Sequence, residues 1–180
     1  DNYLFLDIDG VLNSKESFKY YSKLNKGLIS RKEFDEKIKI MPIDEKYGKM
    51  DVLSSDHVFI PDLNLLIDFI NENNIKVVGI SSWFIQYELK EISKFLGIDV
   101  IDRSEYCGGS GSQRSEGVDL FFKKIGKNKN EVNYVIFDDS PDGYTTENFL
   151  IVKKKIDYEL LEKAKVILKI NKWKNKVLTI

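Results

Sequence analysis

The sequence predicts an α/β protein, a parallel sheet covered by helices on both faces. Two observations carry that prediction. Short apolar runs of strand length alternate with amphipathic stretches of helical period, which implies right-handed crossovers between parallel strands. Three of those runs also end in polar residues capable of chemistry, at Asp7/Asp9, Ser81/Ser82 and Asp138/Asp139. In such sheets reactive groups gather at the carboxyl edge of the strands.

Each element has its own signal. Residues 3–8 (YLFLDI) read as a buried strand, and Gly10 then allows a sharp turn. Residues 62–73 carry apolar side chains at helical spacing, opened by Pro61 and closed by Asn73-Asn74. A second buried strand follows at 75–80 (IKVVGI), then a helix over 86–96 ended by Gly97, and a short strand at 98–101. Residues 115–125 read as a helix with Ser115 as N-cap and Gly126 at its end. The next strands are 134–137 (YVIF) and 149–152, and 157–170 is a Lys-rich amphipathic helix.

The chain, 1–180, is read as one domain with a small insertion, and is long enough to bury a real core. That insertion spans residues 14–56, with short helices expected at 14–23 and 30–40 and a loop around Pro42 and Gly48. It is too short for an independent domain, so a small helical cap carrying Phe18, Tyr20, Tyr21, Phe34 and Tyr47 is expected to shape substrate access.

A formal net charge of -1 argues against a surface built wholly for nucleic acid. The charge is uneven, because nine Lys face only Asp157, Glu159 and Glu162 from Val152 onward. Those lysines and Trp173 could track a phosphate backbone, although a solvated helix face is the favoured reading. A single cysteine, Cys107, excludes an internal disulfide and suits a reducing compartment. No stretch is long and apolar enough to span a membrane, and the first residues lack the pattern of a secretory signal. A cytoplasmic protein is expected.

Asp7 and Asp9 are the most informative residues. Alternate residues of a strand share a face, so the two carboxylates converge, and neither can be buried unpaired. Such a pair calls for a cation or a substrate. It points to an enzyme.

At this point the motifs resemble those of the haloacid dehalogenase (HAD) superfamily of phosphatases and phosphotransferases. D-I-D-G-V-L at 7–12 is similar to its first motif, the strand ending in Ser81 to its second, and the acidic pair after YVIF to its fourth. The third motif is one Lys or Arg near a helix start, a place that Arg114 suits, with Lys123 and Lys124 as alternatives. More narrowly, IPDLNLLIDFI, VVGISSW, QRSEGVDLFF and YVIFDDS resemble the HAD-type domain of Swiss-army-knife RNA-repair proteins. Members of that family tend to carry Arg after the SSW, where this chain has Phe84.

The resemblance implies a three-layer, Rossmann-like α/β/α fold and a magnesium-dependent phosphatase. Asp7 would attack phosphorus to form an aspartyl-phosphate. Asp7, the main-chain carbonyl of Asp9 and Asp139 would bind Mg2+ directly, with Asp138 acting through a water. The Asp9 side chain would serve as general acid and then base, worth roughly 10²–10⁴-fold. Ser81 or Ser82, with backbone N–H groups and the following helix, would hold a phosphoryl oxygen. Arg114 would neutralise charge in the transition state. The substrate would be a phosphorylated small molecule or a nucleic-acid end. A HAD-fold domain kept for binding without turnover is the alternative from another class.

Other residues have plainer readings. The glycine-rich CGGSGSQ at 107–113 reads as a flexible connection, because it lacks the Lys-Ser/Thr ending of a P-loop. His57 reads as structural, Cys107 as a small packing residue, and Trp83 as packing near the site. Asp142 reads as part of a turn at Pro141-Asp142-Gly143.

Overall fold

The structure, a computed structural model, describes residues 1–42, 56–141, 143–144 and 146–170. Its main sheet contains β1 (Asn2–Leu6), β4 (Ile75–Gly79), β5 (Val100–Arg103), β6 (Asn133–Asp138) and β7 (Phe149–Ile151). The spatial order is β5-β4-β1-β6-β7, and every neighbouring pair is parallel. The α/β fold is as the alternation of elements predicts.

The period of two along β1 explains the layers. Leu4 and Leu6 enter one apolar cluster, and Tyr3 and Phe5 enter the other. The first cluster is closed by α3 (Ile60–Asn73), α5 (Leu89–Leu96) and α7 (Tyr158–Ile167) through Leu66, Ile92 and Leu161. The second is closed by α6 (Gly111–Lys124) through Val118, Phe121 and Phe122. Phe5 meets Phe121 and Phe122 edge-on at 5.4 and 5.5 Å, a geometry that aromatic quadrupoles favour.

Several element boundaries differ from expectation. The predicted 86–96 helix is two pieces, α4 (Trp83–Gln86) and α5, because Tyr87 is extended. Gly97 does close α5 in the left-handed region at φ 68°. Ser115 is not an N-cap. α6 begins at Gly111, and Ser110 caps it in a reciprocal box with Gln113. The end of the supposed flexible 107–113 segment is therefore helical. Phe84 packs into the core against Gly79, and its carbonyl accepts a bond from Arg103.

The insertion holds α1 (Lys15–Asn25), α2 (Arg31–Asp35), β2 (Ile38–Ile40) and β3 (His57–Phe59). Residues 38–40 thus form a strand rather than the end of a helix, paired antiparallel with β3. Tyr21, Phe34, Ile38 and Phe59 make a small separate apolar cluster. His57 is buried and bonds Ser17 Oγ at 2.9 Å, which fits a structural residue. Tyr47 and Gly48 lie outside the described residues, as do Asp142, Lys172, Trp173, Lys174 and Lys176. On α7, Lys163 and Lys165 pair with Glu159 and Glu162, the pattern of a solvated face. Cys107 is buried and free. No helix among the described residues is long and apolar enough to cross a membrane.

Asp62, in the first turn of α3, ties this helix to the segment before α7 by accepting a bond from Ile156 N–H at 3.1 Å. Burial pushes its carboxyl up to about 6 from the ordinary 3.8. A raised carboxyl favours the folded state at low pH, and that contribution is lost as pH rises through about 6. Asp62→Asn keeps an acceptor without the charge. Its melting temperature relative to the parent should therefore improve between pH 4 and 7, as followed by thermal denaturation.

Candidate active site

The site is built on three adjacent strands. After β1 the chain stays bonded to β6 through Asp7 N–H and the Phe137 carbonyl at 2.9 Å. Ile8 N–H donates to Asp7 Oδ1 at 2.9 Å and aims that side chain. The turn then passes Gly10 at φ 73°. A Cβ there would sit 2.1 Å from Asp139 Oδ2, so only glycine lets Asp139 approach.

The carboxylates of Asp7, Asp138 and Asp139 each offer an oxygen within 4.8 Å of the others. Asp7 and Asp138 are almost wholly buried. Arg114 Nη1 bridges them, 3.1 Å from Asp7 Oδ2 and 2.8 Å from Asp138 Oδ2. Arg114 is the fourth residue of α6, not a residue before the helix, and the helix holds it in place. Lys124 instead pairs with Asp102 at 2.7 Å.

Burial pushes the Asp7 carboxyl up to about 7, with Asp138 adding to the effect and Arg114 opposing it. Burial also raises Asp139, again with help from Asp138. Burial works against the Arg114 charge, yet the neighbouring carboxylates outweigh it and hold the guanidinium firmly protonated. Three carboxylates thus face one guanidinium. Hard oxygen donors with an excess of negative charge fit Mg2+.

Asp9 stands outside this group. Its Oδ1 accepts from Asn13 Nδ2 at 2.8 Å and Trp83 Nε1 at 3.0 Å, and its Oδ2 is 3.4 Å from Ser82 Oγ. The two serines therefore divide. Ser81 is fully buried and bonds toward Asp7, whereas exposed Ser82 faces Asp9. The helix after them, α4, is a single turn, so its dipole adds little.

Two contributors, Asn13 and Tyr144, escape the sequence reading, and Trp83 does more than pack near the site. Trp83 packs in the core and also donates to Asp9. Asn13 braces the turn twice, since Gly10 N–H donates to its Oδ1 at 2.6 Å. Tyr144 donates to Asp138 Oδ2 at 2.9 Å, and burial together with that carboxylate pushes its hydroxyl well above the usual range. The place of Trp83 two residues after Ser81 marks it as near the site but does not reveal its bond to Asp9. Tyr144 had no such signal.

A parallel sheet with an acidic cluster at the carboxyl ends of its central strands is the arrangement of a HAD-type domain. The chain belongs to that class. It matches the family of HAD domains in Swiss Army Knife RNA repair proteins over residues 3–157. It is also similar to a cysteine–tRNA ligase of Campylobacter lari, 32% identical over 157 residues that cover 84% of this chain and 33% of the relative. The chain thus spans about a third of the length of that curated relative. No solved structure matches it.

Proposed function

We propose that the chain is a magnesium-dependent phosphatase that works through phosphorylated Asp7. The observation that carries this reading is the buried Asp7–Asp138–Asp139 cluster bridged by Arg114. Asp7, Asp138 and Asp139, with the Asp9 carbonyl, would hold Mg2+. When bound, the ion supplies positive charge that lets a carboxylate meet a phosphate dianion.

Asp7 attacks phosphorus, and the ester oxygen leaves with a proton from Asp9. Asp9 then takes a proton from the water that cleaves the aspartyl-phosphate. Ser81 orients Asp7 and a phosphoryl oxygen, Ser82 sits beside Asp9, and Arg114 balances charge as the phosphoryl group transfers. The described part of the insertion, residues 14–42, acts as a lid that brings Lys15 and Phe18 beside Asp9. The single free cysteine agrees with a reducing compartment such as the cytoplasm.

A second reading takes the substrate to be a polynucleotide end. The family's RNA-repair description favours it, and the cysteine–tRNA ligase to which the chain is similar also handles an RNA by its name. Hydrolysis of an aryl phosphate with magnesium and with a chelator tests the main reading. Turnover should require the metal. No release of phosphate from aryl phosphate or phosphorylated oligonucleotides would leave a binding domain instead.

Trp83→Phe removes one donor from Asp9 while keeping a ring in the core. Steady-state kinetics should show kcat reduced about tenfold with KM little changed. An unchanged kcat would mean that Trp83 only packs.

A further inference from the structure

We propose that the cavity beside Asp9 is a leaving-group subsite for a phosphorylated nucleotide: a planar ring joined to a second phosphate besides the one removed. The inference rests on the roles assigned above to Asp7 and Asp9. The cavity measures about 490 Å³, within the range of roughly 300–1,000 Å³ usual for ligand sites. Asp9 and Asp139 line it and Asp7 does not. It therefore opens on the side to which the leaving oxygen departs.

Two cations enter this cavity from separate elements. Lys15 is the first residue of α1, and Lys153 follows β7. Both are exposed, and among the described residues neither has a carboxylate partner. Lys19 and Lys129 are paired to Glu16 and Asp119, whereas Lys32 and Lys94 among other described lysines are not; Lys15 and Lys153 stand out because both line the same cavity beside Asp9. Lys15 also adds its charge to the positive end of its helix. Two unpaired ammonium groups at the rim of an acidic site suit an anion carried by the substrate, not the acids already engaged.

Phe18 supplies the third contact. It lines the cavity and is 51% exposed. His57 meets its ring edge-on at 5.1 Å, and Tyr21 lies 6.5 Å away, so the ring is presented by a buried base. An aromatic face beside paired cations is how proteins hold a base together with its phosphate.

The test compares p-nitrophenyl phosphate, adenosine 3′-monophosphate, adenosine 3′,5′-bisphosphate and a short oligonucleotide with a 3′-phosphate, all with magnesium. Either of the last two should exceed the monophosphate in kcat/KM by about tenfold or more, and which one does so separates a free nucleotide from a chain end. Lys15→Gln and Lys153→Gln should each lower that preference about fivefold through KM, and leave aryl phosphate turnover within about twofold. Phe18→Ala should weaken all nucleotide substrates relative to the aryl ester. A monophosphate hydrolysed as fast as both the bisphosphate and the oligonucleotide, or lysine variants that change nothing, would overturn the subsite. Calorimetry of the bisphosphate on the Asp7→Asn protein separates the two readings. Lysine-dependent binding without any turnover by the parent would keep the subsite and remove the phosphatase, whereas no binding would remove the subsite.

Discussion

Asp7→Asn should abolish phosphatase turnover, a loss of about 10⁴–10⁶-fold, as when another covalent nucleophile is removed. The amide matches the carboxylate in shape and can still accept from Ile8 N–H, so the fold should persist. Stability should move the other way. Because burial holds the Asp7 carboxyl up at about 7, ionising it works against the metal-free folded state, and that cost is absent below the ordinary carboxylate range. The Asn variant should accordingly melt at an equal or higher temperature than the parent at pH 8 without metal. Kinetics and thermal denaturation on one preparation check both halves. Full activity in the variant would overturn the aspartyl-phosphate route.

Arg114→Ala should be the most damaging change to the fold among the site residues. Arg114 is the cation that bridges two nearly inaccessible carboxylates. Removing one partner of a buried ion pair costs about 3–5 kcal/mol, which urea denaturation at pH 8 would measure. The cost should shrink toward pH 5, because Asp7 then takes up a proton and no longer needs the guanidinium. Activity should fall by about 10²–10³-fold even where the variant is folded, since transition-state charge goes unbalanced. Arg114→Lys should recover part of the stability but less of the activity. Nη1 alone bridges Asp7 and Asp138, so an ammonium can stand in for that charge, but it lacks the remaining guanidinium N–H groups for phosphoryl oxygens. A stable, active alanine variant would exclude this role.

The strands and their ends were legible because each depends on local pattern: an apolar run, then acids or serines. Those patterns place Asp7, Ser81 and Asp138 at strand ends, and the strand order that makes the three strands neighbours comes only with the fold. The start of α6 was legible too, in the Ser110 to Gln113 capping pattern, but the glycines around it masked the signal. β2 was harder. Its three residues pair with partners far along the chain, from Ile40↔His57 to Ile38↔Phe59, and no local rule announces that. Trp83 and Tyr144 reach their carboxylates across 74 and six residues, through contacts that exist only once the chain is folded.

The position of β1 in the sheet also bears on how the protein is made. This strand leaves the ribosome before either neighbour, β4, which follows at Ile75–Gly79, and β6, completed only at Asp138. Until then one side of an almost wholly apolar strand has no hydrogen-bonding partner, the condition under which chains associate edge to edge. Asp138 and Asp139 arrive with that last neighbour. A nascent or truncated chain ending before β6 would lack two of the three clustered carboxylates and be prone to aggregate, so closing the sheet and assembling the acidic cluster are one event in the life of the polypeptide.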